Sequence, residues 1–538
     1  MEIRPIDSAQ IKIPRPAPAA VPSHEIRDTF TQAVRVKIFP QDPMVGSTEN
    51  FELPAEVIGT RLESERIKTE DRSPIAIADP DGNYDYEVGT PQFDQVNAHS
   101  VVASTLSMYD RYLGRPARWA FSGPLTVNPH AGTGKTAYYS RWDRSINFFE
   151  WLSSSLGKRV TTAQSADVIA HEIGHAVWDG IRPRAGYSNE AGAFHEAFGD
   201  CSALLQALQH PTNLVKALEQ NGGDFTRPSL LSRMAEEFGT AFNKEDRDPN
   251  NDDHQYYRTA LNEFRYIDPR ELPDDDYPPT VPENVLTREF HSFSRVWTGT
   301  FYNMLGALYN ARVKQGDEPL EALTTARDQL GNLWGKGLDE LPPTGIRYRL
   351  VGESMLTQAM RGGDLDVFSS VASVLVDRRI LTQAEVDAIR TRTQPELKLA
   401  EPDQVLAAAR AHFDLPEGMQ LEDQPLKTDD GRTIMLFTAP ERHAIPSMNL
   451  EGDQVEVELR SGLMLAFDAE GKLINSSFTP VDDQAVEEAR TFIADLDRRG
   501  RLSDNIFKSE DPLGRPYLAR ALPDRPGVRV IERVPVFD

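Results

Sequence analysis

Two histidines four residues apart, with an acid beside the first, are the residues of this chain best suited to chemistry: His171-Glu172-Ile173-Gly174-His175. The stretch before them, Ser165 to Ala170, offers a capping serine and an acid in the first turn, and Ile169, Ile173 and Val177 recur at helical spacing. At 3.6 residues per turn, His171 and His175 share one helix face, where two imidazole nitrogens reach one ion and Glu172 projects alongside. Neutral imidazole is a good zinc ligand, and Glu172 is placed to take a proton from water that the metal has acidified. A third ligand is required. The run Asn189 to Asp200, leading into Ala203-Leu204-Leu205, predicts a second helix with Glu196 and Asp200 one turn apart. Glu196 supplies the third bond and leaves the fourth position open, as catalytic zinc needs; Asp200 accepts the other ring N–H of a ligand histidine.

This constellation, with the Asn-Glu-x-Gly-Ala-x-x-Glu-Ala-x-x-Asp run and its distance from His175, resembles the thermolysin family of zinc metalloendopeptidases. The resemblance runs from near Phe93 to about Ala388. It implies an α+β fold of two lobes, one mixed β/α and one helical, with Zn2+ as cofactor and a polypeptide as substrate. It also implies roles for outlying residues. Tyr187 and His291 would stabilise the oxyanion, Arg265 would bind a substrate carbonyl, and Ala137, in the Thr136-Ala137 pair, would lie on the edge strand that grips substrate backbone. Leu286 stands where the family has an aspartate partner for its second histidine, which leaves Glu289 or Glu283 as the partner of His291. The zinc aminopeptidases share the two zinc-binding elements but carry an upstream Gly-x-Met-Glu-Asn stretch that is absent here.

The chain has 538 residues, too many for one core, and its formal charge of −25 argues against nucleic acid and an anionic membrane surface as natural partners. No segment approaches membrane-spanning length, and the first residues lack the pattern of a secretory signal. The resembling family is mostly secreted, so cytoplasmic residence, a non-classical export route and a lost leader all stay open. The single cysteine, Cys201, permits no internal disulfide and reads as a small buried apolar residue.

Four segments are expected: a proline-rich arm over 1–32, an amino-terminal β/α lobe over 33–180 ending in the motif helix, a helical lobe over 181–395, and an accessory α+β module over 400–538. Within the first lobe, Val34 to Phe39, Ser73 to Ile77 and Ser145 to Phe149 read as strands, and Val102, Leu106, Tyr109 and Leu113 as a helix closed by Gly114. Leu230 to Met234, Val296 to Leu308 and Glu321 to Leu333 read as helical, and Thr382 to Glu385 makes a capping box. The acidic run Asp246 to Asp253 could bind Ca2+, but it lacks the glycine and closing glutamate of an EF-hand loop, so a solvated loop is the favoured reading. A silent peptidase-like binding protein is the alternative to an enzyme. Against it stands Glu172, for which a dead scaffold has no chemical need.

Overall fold

The computed structural model describes residues 33–247, 255–275, 280–446 and 454–499, with strands at 502–503, 517–521 and 528–533. The proline-rich arm and most of the acidic run lie outside these residues. The architecture is mixed α+β.

The described chain opens on the antiparallel pair β1 (Ala33–Ile38) and β2 (Glu49–Pro54). Behind it runs α1 (Pro91–Leu113), capped by Thr90 and ended by Gly114 in the left-handed conformation, φ 67°. A five-stranded sheet follows, from β3 (Ile67–Thr69), β4 (Leu125–Thr133), β5 (Ala137–Ser140), β6 (Ser145–Ser153) and β7 (Lys158–Thr161). Its order is β3-β4-β6-β5, with β7 on the far end of β6; β3, β4 and β6 are parallel, and β5 is an antiparallel edge. Ser73 to Ile77 is not a strand: the Ala76 N–H is taken by the side chain of Gln95 at 2.7 Å instead of by a neighbouring strand.

The helical part contains α2 (Ala166–Ile181), α3 (Asn189–Ala207), α4 (Phe290–Gln315), α5 (Pro319–Asp339), α6 (Tyr348–Gly362) and α7 (Leu365–Asp377). Helix α3 packs between α2 and α4. Trp178, Phe194, Phe198, Trp297, Trp334 and Tyr348 meet there with essentially no exposure, and the Phe194 and Trp297 rings are 5.7 Å apart. Each such ring is worth roughly 1.5–3 kcal/mol of apolar burial, so the contact fixes the relative depth of the three helices. Leu230 to Met234 departs from the helical expectation. Its last two residues pair as a short ladder with Arg258–Thr259, an arrangement that a local apolar pattern does not reveal. The capping box at Thr382 and Glu385 is formed and opens a helix over Gln383–Thr391.

Beyond residue 400 the long strands β8 (Thr433–Pro446) and β9 (Gln454–Phe467) pair antiparallel, with β10 (Leu473–Thr479) beside β9, and α8 (Asp483–Arg498) follows. Val528–Arg533 runs parallel to the start of β9. None of the helices among the described residues is long and apolar enough to cross a membrane.

Candidate metal centre

Helices α2 and α3 cross closely because two glycines let them. A Cβ on Gly174 would stand 2.5 Å from Ser202 Oγ, and one on Gly199 would stand 2.5 Å from His171 Nδ1. The approach brings His171, His175 and Glu196 together, the last two buried and the side chain of His171 12% exposed. The two Nε2 atoms face each other at 3.0 Å, and Glu196 Oε2 lies 3.6 Å from that of His171 and Oε1 lies 4.0 Å from that of His175. One ligand atom from each residue falls within 4.8 Å of the others, so the three could hold one metal ion. Asp200, one turn past Glu196, sits 3.1 Å from His171 Nδ1 and accepts a hydrogen bond from Thr298 Oγ1 at 3.0 Å. It therefore fixes which ring nitrogen of His171 faces Glu196.

Glu172 is 3% exposed, and its Oε2 has no hydrogen-bond partner among the described residues. Burial, with Glu196 adding to it, pushes its carboxyl up to about 7. Burial works against the charged form of His171 too, but Asp200 and Glu196 outweigh it and raise the ring to about 9. Burial also opposes the charge on Glu196; His291 and His175 nevertheless hold it well below the carboxylate range. The pattern is that of an anionic buried ligand beside two imidazoles, one of which must shed a proton when a cation arrives.

His291 opens α4 and reaches the same spot: its Nε2 is 3.3 Å from Glu196 Oε2. Its other nitrogen is 2.9 Å from Glu289 Oε1, and Glu289 also caps α4 by accepting from the Ser292 N–H at 3.0 Å. The partner of His291 is thus Glu289. Glu283 contributes instead through its backbone carbonyl, which accepts from Arg295.

The edge strand is pinned to the motif helix. Tyr139 donates its hydroxyl to Asp179 of α2 at 2.9 Å, and Arg141 pairs with the same carboxylate. Ala137 and Thr136 consequently line one wall of a cavity whose floor includes His171, Glu172 and Asp200, and whose apolar side is built by Met234, Phe238 and Tyr257.

Two expected residues sit elsewhere. Arg265 is half exposed and pairs with Asp377 of α7 at 2.9 Å. Tyr187 packs on Phe492 of α8, ring centroids 6.3 Å apart, and lines a cavity toward Arg347 and Glu488, not the one beside Glu172. Sequence reasoning missed Arg258. It donates to Asp200 at 2.9 Å, lies 3.6 Å from Glu196, and lines both the cavity beside Glu172 and a second one beside His291. The ladder with Met234 places it, and Gly239 lets the preceding backbone pass, since a Cβ there would stand 2.0 Å from the carbonyl carbon of Tyr256. No local motif around Tyr256-Tyr257-Arg258 announces this.

A second set of possible ligands, Asp94, His130 and Glu150, is already engaged: His130 Nδ1 is 2.6 Å from Asp71, its Nε2 is 3.0 Å from Asp94, and Arg159 bridges Asp94 and Glu150. It is an ion-pair network that ties α1 to the sheet. No protein-family model matches the chain, and no curated protein matches it.

Proposed function

We propose that this protein is a zinc-dependent endopeptidase with a thermolysin-like two-lobed catalytic unit. The observation that carries the reading is the closely packed triad His171, His175 and Glu196, set beside the buried Glu172, whose Oε2 is free of hydrogen bonds among the described residues. Two imidazoles and one carboxylate suit zinc among the common divalent ions, and three ligands leave the opening that catalysis needs.

When bound there, zinc supplies Lewis-acid polarisation of a carbonyl and a lowered pKa for water. The remaining work falls to side chains of this chain. A peptide laid along the β5 edge pairs its backbone with the strand at Ala137, which presents its carbonyl to the triad. Glu172 takes the proton of the attacking water and hands it to the leaving amine; its elevated pKa suits both halves of that transfer. His291, oriented by Glu289, donates Nε2–H to the oxygen on which charge develops; Tyr187, turned toward the cavity of Arg347 and Glu488, takes no part in it. Arg258 takes the role of carbonyl-binding arginine in place of Arg265, held by Asp200 at the junction of the two cavities.

The test is metal content together with cleavage of an unfolded protein, before and after a chelator. One zinc per chain, chelator-sensitive cleavage, and a Glu172→Gln variant that keeps its zinc but loses about a thousandfold or more in turnover are the expected results. Full zinc with no cleavage by the wild type would instead make the protein a silent scaffold.

A further inference from the structure

The segment that delivers His291 is not held by the catalytic lobe alone. Phe290 lies directly over Gly192 of α3, where a Cβ would come within 2.9 Å of the ring, and its other face stacks on Phe492 of α8 at 5.8 Å and 20°. Phe290 therefore belongs to the same apolar cluster as Ile445, Val455 and Phe492 of the accessory module. One turn further along α8, Asp495 is 4% exposed and ties together the openings of α3 and α4, two of the three helices that carry the site. Its Oδ2 accepts from Asn189 Nδ2 at 2.8 Å, where α3 begins, and both of its oxygens accept from Arg288 at 2.9 Å, three residues before His291. Asn189 also donates to the Arg288 carbonyl at 3.1 Å. A paired, buried, bidentate carboxylate is a rigid coupling, and its cost of burial is met only while both partners keep their places.

We infer that Asp495 is a positioning residue for His291, supplied by the accessory module: by clasping Asn189 and Arg288 it holds Glu289 and His291 against the face of α3 that presents Glu196. The module is thereby a working part of the catalytic site and not an appended domain. The metal ligands do not depend on this clasp, because His171, His175 and Glu196 stand on α2 and α3 around Gly174 and Gly199. The loss of the clasp should spare metal binding and slow the chemical step. The inference rests on the peptidase reading for its kinetic consequence, though not for its structural one.

The experiment uses the full chain carrying Asp495→Asn, and in parallel Arg288→Lys, which keeps the charge but cannot form the fork. Zinc content, kcat and KM on a quenched fluorescent peptide, and hydrogen exchange of the amides of residues 287–293 and 169–177 are measured. The expected result is one zinc per chain, kcat lowered about tenfold with KM within threefold, and faster exchange over 287–293 with 169–177 unchanged. Unchanged kcat with unchanged exchange overturns the inference. So does loss of zinc with faster exchange over both segments, which would make Asp495 a general stabiliser. If Asp495→Asn fails to fold, Arg288→Lys decides by the same criteria. If the wild type binds zinc and cleaves nothing, the peptidase reading fails, and exchange over 287–293 alone decides whether Asp495 positions the segment.

Discussion

Glu289 holds His291 with one oxygen, 2.9 Å from Nδ1, and caps the helix that carries it with the other, 3.0 Å from the Ser292 N–H. The carboxylate that orients the ring is thus rigid by virtue of the cap, and the histidine cannot turn without unwinding the first turn of α4. Its neighbours hold Glu289 below the usual carboxylate range, His291 foremost among them, although burial works in the opposite direction. Glu289→Gln can keep its one acceptor oxygen on the cap but then turns an amide NH2 toward Nδ1, and it removes the charge. Its kcat should fall about tenfold with zinc content and melting temperature nearly unchanged. Glu289→Ala should lose the cap as well, at about 1 kcal/mol of stability, read from chemical unfolding.

Gly199 is the point of closest approach between α3 and His171, 2.5 Å from Nδ1 for a built Cβ. Gly199→Ala must therefore push the imidazole off Asp200 or part the two helices. Zinc affinity, measured by competition with a chelating dye, should fall about tenfold or more, while helical content by circular dichroism stays the same. Retention of wild-type affinity would show that the ring has room that this packing denies it.

His130 predicts a pH dependence of stability remote from the candidate metal centre. Burial opposes its charge, but Asp71 and Asp94 on either side raise the ring from 6.5 to about 9. A group whose pKa is raised by folding contributes in full below its unfolded value and loses that contribution as pH climbs through the folded one. The His130 contribution, at most on the order of 3 kcal/mol, should thus be complete at pH 6 and gone by about pH 10. Urea midpoints of the wild type minus those of His130→Gln isolate it, since the other titrations cancel. The difference should be large at pH 6 and shrink steadily through pH 9.

The parts of the site that were legible in the sequence are those that obey a helical period. His171, Glu172 and His175 stand on one helix, Glu196 and Asp200 on the next, and spacing alone predicts their faces. Strands β1 and β6, the αL stop at Gly114 and the capping box at Thr382 were legible for similarly local reasons. What was not legible depends on pairings between distant segments. Ser73 to Ile77 has the composition of a strand, but the Gln95 side chain takes the Ala76 N–H. Leu230 to Met234 has the apolar run of a helix, yet its end pairs with residues two dozen positions later. The position of Arg258 was hidden for the same reason: a two-residue ladder, invisible to any periodicity, sets it beside Asp200, while Arg265, the residue expected there, pairs with Asp377.

Arg258 and Arg265 therefore make a matched pair for testing the site. Arg258 donates to Asp200, which also contacts His171, so it stands between the metal ligands and the two cavities; Arg265 pairs with exposed Asp377 and meets neither cavity. Hydrogen bonds from a charged donor are worth about 1.5–3 kcal/mol, or roughly 10- to 100-fold in a rate or binding constant. Arg258→Ala should lower kcat/KM by up to about a hundredfold, and Arg258→Lys should recover little, because a single ammonium cannot serve Asp200 and a substrate carbonyl in the same fork geometry. Arg265→Ala should stay within about twofold of wild type, since an exposed ion pair contributes at most about 1 kcal/mol and here contributes nothing to the cavity. Steady-state kinetics of the three variants on one peptide would check this, and the reverse ranking would return the carbonyl-binding role to Arg265.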